Sequence, residues 1–247
     1  MDLKIKDVAE LLGVSETTIR RWLADGKIPG YRLNQQHRFS RGEIEKWMID
    51  CRLKPVEENF SPFGEKQVYP PMNEPASHEV TSARGGLQNF SLYRAIHQGD
   101  IFFQVPGTTK EELIRTTTKS IAGKLGVDAD VLSELLLDRE KLMPTALNNG
   151  IAVPHTRDFL MKGPLDRIVI VFPKEPIEYG ALDGQPVYAL FFLFACTDKR
   201  HLHLLAKIAH LCGHPEAVKL LRQQADKKTI LEYVRLWEGG LRQHSEV

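Results

Sequence analysis

The sequence predicts an α/β sandwich preceded by a small helix-turn-helix unit. Three observations carry this. In the C-terminal part, the apolar runs Arg167 to Phe172 and Tyr188 to Cys196 alternate with capped amphipathic helices. Near the N-terminus, two short helical patterns meet at Gly13, and the second points arginines outward. Between these parts, residues 52–86 hold no helical or strand period and carry prolines at 55, 62, 70, 71 and 75.

In the N-terminal unit, residues 1–51, Lys6 to Leu12 place Val8, Ala9, Leu11 and Leu12 at helical spacing. Gly13 ends that helix, and Ser15 is placed to cap the next, Glu16 to Ala24. Ile19, Trp22 and Leu23 form its inward face, which leaves Thr17, Thr18, Arg20 and Arg21 pointing out. Ile28 to Leu33 and Arg38-Phe39 read as two strands of a wing around Asn34 to His37. Ser40-Arg41-Gly42-Glu43 is a capping box for a third helix with Ile44, Trp47 and Met48 inward. Arg20, Arg21, Lys27, Arg32, Arg38 and Arg41 face only one acid, Asp25, in this stretch. That local excess favours DNA phosphates. Arg20 and Arg21 are candidates for base edges, and Arg32, Arg38 and Arg41 for the backbone.

Residues 52–86 are expected to form a flexible linker, extended in part. The C-terminal domain, residues 87–240, begins with a helix capped by Ser91. Thr109 to Glu112 is a capping box for a helix to Leu125, ended by Gly126. Asp128 opens another helix, to Leu142. Ile151 to Val153 is a short strand. Asp198 is read as the cap of a helix to Leu211, Pro215 opens the next, and Thr229 to Trp237 forms the last.

Composition excludes little here. With 42% hydrophobic residues, 26% charged and a net charge of +1, the chain has material for two ordinary globular units and no overall charge bias. Cys51, Cys196 and Cys212 form no C-x-x-C motif. Cys196 and Cys212 read as buried thiols of a reducing cytoplasm. The start of the chain does not read as a secretory signal, and the longest apolar run, Val187 to Cys196, is too short to insert in a membrane.

The chemistry is concentrated around His155. It follows the strand Ile151 to Val153 and Pro154, whose fixed φ stiffens the exit from the strand. Thr156 and Arg157 stand beside it to hold an anion. A neutral imidazole nitrogen is a nucleophile near pH 7 and suits transient phosphorylation. Arg139 and Arg157 are candidates to pair with phosphoryl oxygens. His203 and His210 share a helical face, yet they lie two turns apart without a third ligand at suitable spacing, so no metal and no cofactor is expected.

The segment Asp138 to Arg157 resembles the active-site region of enzyme IIA domains of the bacterial phosphotransferase system, in the fructose, mannitol and nitrogen-regulatory class. Gly150-Ile151-Ala152-Val153-Pro154-His155 matches the G-I-A-[IV]-P-H motif, and Arg139-Glu140 the upstream R-E pair. The resemblance extends over roughly residues 87–238, through Leu182 to Val187 and Arg200-His201-Leu202. It implies a mixed sheet with helices on both sides, a phosphohistidine at His155, Arg139 close to it, and a second histidine matching His201, with His203 as its rival. Where the nitrogen-regulatory branch often carries T-G-I-G-N-G, this chain has Thr145-Ala146-Leu147-Asn148-Asn149-Gly150. The N-terminal unit resembles the winged helix-turn-helix of the MerR and excisionase families.

Together these readings imply a cytoplasmic DNA-binding regulator, a phosphoryl carrier rather than a stand-alone catalyst. An HPr-type phosphocarrier protein would phosphorylate it, and it would act as a homodimer on two-part DNA sites. Two alternatives stay open. One is a relay component of sugar uptake that hands phosphate to an enzyme IIB-type acceptor. The other is a partner-docking module that is never phosphorylated.

Overall fold

Apolar residues at helical and strand spacing build both units of the computed structural model, which describes residues 2–12, 14–33, 36–53, 90–156, 165–181 and 183–243. The N-terminal unit runs β1 (Asp2–Lys4), α1 (Ile5–Leu12), α2 (Glu16–Ala24), β2 (Tyr31–Leu33), β3 (Gln36–Ser40) and α3 (Arg41–Leu53). Ser15 caps α2, its Oγ accepting the Thr18 N–H at 3.1 Å. Val8, Ile19, Phe39, Ile44 and Met48 are fully enclosed and form the core, with Trp22 beside them. β2 and β3 are the antiparallel wing. The sequence reading missed β1, which pairs with β3 and sets Leu3 opposite Phe39. α3 continues to Leu53, past the expected linker start at residue 52. The helix stop at Gly13, the wing tip at Asn34 and Gln35, and the rest of the linker lie outside the described residues.

The C-terminal unit runs α4 (Ser91–Gln98), β4 (Ile101–Val105), α5 (Lys110–Leu125), α6 (Ala129–Leu142), β5 (Ile151–Ala152), β6 (Arg167–Pro173), β7 (Ala189–Phe194), α7 (Asp198–Leu211), α8 (Pro215–Arg222) and α9 (Lys227–Gln243). Its sheet has the order β4-β6-β7-β5. β4 is parallel to β6, β6 antiparallel to β7, and β7 parallel to β5. β6 beyond Arg167 and all of β7 are apolar because both sheet faces are covered. Ile168, Ile170, Phe172, Phe191 and Leu193 turn toward one apolar cluster with α4, α7 and α9. The alternating Val169, Val171, Leu190, Phe192 and Phe194 turn toward a second cluster with α5 and α6. The fold is therefore a mixed sheet flanked by helices, with a small helix-turn-helix unit ahead of it.

Local chemistry explains most helix starts. The side chains of Thr109, Asp128 and Thr197 accept N–H groups in the first turns of α5, α6 and α7. Two expected caps differ. Thr197, not Asp198, caps α7, and Asp198 is its first residue. Ser91 lies buried inside α4, whose first N–H groups are instead taken by the Glu238 carboxylate, from Leu92 at 3.1 Å and Tyr93 at 2.8 Å. Cys212 is buried as expected, whereas Cys196 is half-buried.

The two units are in contact. α1 and α3 pack against α7, and the buried apolar residues of the N-terminal unit form one continuous cluster with those around α7. This packing sets α3 over the N-terminal end of α7 and the exit of β5.

Candidate functional site

The site is built where β5 leaves the sheet. Leu193 N–H donates to Pro154 O at 3.0 Å, which ties the segment ahead of His155 to β7. Upstream, Gly150 has φ +71, and a Cβ there would come within 2.7 Å of Pro186 O and 2.8 Å of the Tyr188 ring. Only glycine fits that turn. The two positions that depart from the glycine-rich pattern, Ala146 and Asn148, do not have positive φ and need no glycine. The buried Glu140 carboxylate braces the loop by accepting from the Thr145 N–H at 3.0 Å and from its hydroxyl.

His155 Nδ1 lies 2.7 Å from Val153 O. A carbonyl only accepts, so Nδ1 carries the proton and Nε2 is the nitrogen turned to the site. Nε2 is 2.7 Å from Oε1 of Glu45, on α3 of the N-terminal unit. The same oxygen accepts from Arg139 Nη2 at 2.7 Å and Nε at 3.2 Å, while Arg139 Nη1 donates to Met143 O at 2.9 Å. His155, Arg139 and Glu45 are all buried. Burial raises the Glu45 carboxyl, but the hydrogen bond and charge of His155, followed by Arg139, outweigh it and hold the group well below the ordinary carboxylate range.

His201 sits in the first turn of α7, with its ring centre 4.9 Å from that of His155. Its buried Nε2 has no hydrogen-bond partner among the described residues. Burial, reinforced by the neighbouring His155 charge, pushes its pKa well below 6.5 and keeps it neutral. The rival His203 turns to the other side, with Nε2 3.0 Å from Ser91 Oγ on α4. Above the site, Arg41 of α3 pairs with Asp198 at the start of α7.

The structure thus brings His155, Arg139 and His201 together; Arg157 lies outside the described residues. Glu45 escaped the sequence reading because it looks like any acidic residue on the outer face of a short helix. Glu45, His155 and His201 each offer a ligand atom within 4.8 Å of the others, the spacing of a metal site. The Arg139 guanidinium on the same Glu45 oxygen sets a positive charge where a cation would sit, which suits an anion instead.

Of the DNA-facing candidates, Thr17, Arg20, Arg21 and Arg32 are exposed. Arg20 is 3.7 Å from Glu16 one turn away, and the Thr18 hydroxyl bonds to Ser15 Oγ at 2.9 Å. Arg38 is half-buried and donates to Gln36 Oε1 at 2.8 Å. Arg41 departs from expectation: it faces the C-terminal unit, because the start of α3 is the part of the helix that meets α7.

A mixed sheet between two helical layers, with a histidine at a strand exit and an arginine and a second histidine beside it, defines a protein of the enzyme IIA class. The family described as phosphoenolpyruvate-dependent sugar phosphotransferase system, EIIA 2, matches residues 95–236, and the chain belongs to it. A helix-turn-helix domain family matches residues 3–52. The nitrogen regulatory protein of Pseudomonas aeruginosa is 30% identical over 146 residues, covering 58% of this chain and 94% of that protein. That of Bradyrhizobium diazoefficiens is 33% identical over 132 residues, covering 52% of this chain and 84% of its own. The crystal structure of nitrogen regulatory protein IIA-Ntr from Neisseria meningitidis superposes with a TM-score of 0.50 at 23% identity, over 58% of this chain and 94% of that one, and shares the fold. Among the described residues, no helix is long and apolar enough to cross a membrane.

Proposed function

We propose that this protein is a DNA-binding regulator whose C-terminal domain accepts a phosphoryl group on His155 Nε2 from an HPr-type phosphocarrier. The observation that carries the reading is the fixed tautomer: Nδ1–H bound to Val153 O leaves Nε2 as the nucleophile, beside Arg139 and His201. Phosphoryl transfer asks a protein mainly for alignment and for positive charge around the equatorial oxygens. Arg139 supplies a two-pronged donor, as its grip on Glu45 Oε1 illustrates. Neutral His201 supplies a further hydrogen-bonding nitrogen at the N-terminal end of α7, where the helix field favours an anion. The helix-turn-helix unit, with Arg20, Arg21 and Arg32 exposed, supplies the DNA reader, and two-part sites would call for a dimer.

The test is incubation of the full chain with labelled phosphoenolpyruvate and the purified donor chain. One acid-labile phosphoryl group is expected on His155, absent from His155→Ala. Label retained in that variant overturns the assignment.

A further inference from the structure

We propose that Glu45 is a built-in occupant of the phosphoryl site, so that docking of the N-terminal unit and phosphorylation of His155 exclude one another. This rests on the phosphoryl-acceptor reading and adds its regulation. Three observations on two separate units converge. The Glu45 carboxylate oxygen lies within hydrogen-bond distance of the attacking nitrogen and takes hydrogen bonds from Nε and Nη2 of Arg139, the contacts a phosphoryl oxygen would take. The His155 ring is wholly enclosed, so no donor protein reaches it while α3 is seated. Glu45 Oε1 also stands 2.7 Å from Nε2, in the space the phosphorus of a donor would have to enter.

The sequence of events balances. When α3 lifts away, Nε2 is freed of Glu45 while Nδ1–H stays on Val153 O. The Nε2 lone pair then forms the P–N bond as the donor's P–N bond breaks, and the departing donor imidazole takes up a proton from water. The phosphorylated site holds about two negative charges. Glu45 can no longer enter it, because the space is filled and the charges repel. The N-terminal unit, with Arg41 released from Asp198, is then free of the C-terminal unit. Linkage makes the coupling reciprocal: docking weakens phosphorylation by the same factor by which phosphate weakens docking.

The experiment compares full-length wild type, Glu45→Ala and Glu45→Gln. Labelling rate is followed with the protein donor, and radius of gyration by small-angle scattering before and after labelling. Glu45→Ala is expected to label at least about tenfold faster than wild type and to be expanded without phosphate, with Glu45→Gln between. Wild type is expected to expand once labelled. Equal rates, or a wild-type radius unchanged by labelling, overturn the exclusion and leave the acceptor reading standing. No label on any of the three proteins overturns the acceptor reading and this inference with it.

Discussion

Glu45 Oε1 lies 2.7 Å from His155 Nε2 and 2.7 Å from Arg139 Nη2, although these residues are separated from it by 110 and 94 positions in the chain. One carboxylate from the N-terminal unit therefore completes the charge balance of a buried site in the other unit. Breaking a buried pair from one side leaves an uncompensated charge, which costs about 3–5 kcal/mol if the site stays closed. The site can escape that cost by opening, because undocking rehydrates Arg139 and His155.

Arg139→Ala should slow phosphorylation of His155 by about 10²–10³, the usual effect of removing one preorganised donor to developing negative charge. Arg139→Lys should recover only part of it, since an ammonium cannot give two parallel hydrogen bonds. Initial rates of label incorporation decide this. Rates within a factor of two of wild type would remove Arg139 from the reaction.

The docked state should weaken in acid. The Glu45 pKa is held below its ordinary 4.5, so its contribution is present above that pH and is lost as pH falls below it. His201 is held below 6.5, so the fold disfavours its protonated form. Its contribution is present above pH 6.5 and declines as pH falls through that value. Beyond burial, His155, Arg41 and Arg139 face His201 and oppose its protonation, whereas the Glu45 carboxylate favours it. Denaturant titrations at pH 7.5, 6, 5 and 3 should show two steps of lost stability. Glu45→Gln should lack the lower one.

Gly150→Ala should destabilise the C-terminal unit by about 1–3 kcal/mol, the usual cost of a non-glycine residue held in a disfavoured backbone conformation, with the contact to Pro186 O adding to it. Chemical denaturation gives the stability change. Labelling of His155 should fall as well, because β5 and the exit to His155 follow this turn directly.

DNA binding should divide by residue. Arg20→Ala or Arg21→Ala should each cost about 1–3 kcal/mol for a specific site, as expected for contacts to base edges. Arg32→Ala should weaken all sequences alike and make the salt dependence shallower by about one phosphate contact. Gel-shift titrations over a range of salt concentrations separate the two patterns.

Much of this architecture can be read locally. Ser15, Thr109 and Asp128 announce their helices because capping needs only a side-chain oxygen two or three residues from an open N–H. The unbroken apolar runs of β6 and β7 announce strands covered on both faces. β1 and β4 were missed. β1 is three residues long, and the pairing of β4 with β6 is interrupted near Gln104, which has φ 54. Such short segments are strands because of what they pair with, and the partner is distant in sequence. The α4 start shows the same limit: the carboxylate that satisfies it, Glu238, comes from α9.

Alone, the sequence determined the two kinds of unit and the short strand that leads to His155, because each follows from short-range spacing and covalent chemistry; that the ring is enclosed rather than presented came from the packing of the two units. Tertiary structure decided which His155 nitrogen is turned to the site, that His201 rather than His203 stands beside it, and that Glu45 and Arg41 face the C-terminal unit. Those outcomes depend on which surfaces meet when α1 and α3 settle on α7, and no local pattern encodes a contact made across a hundred residues of chain.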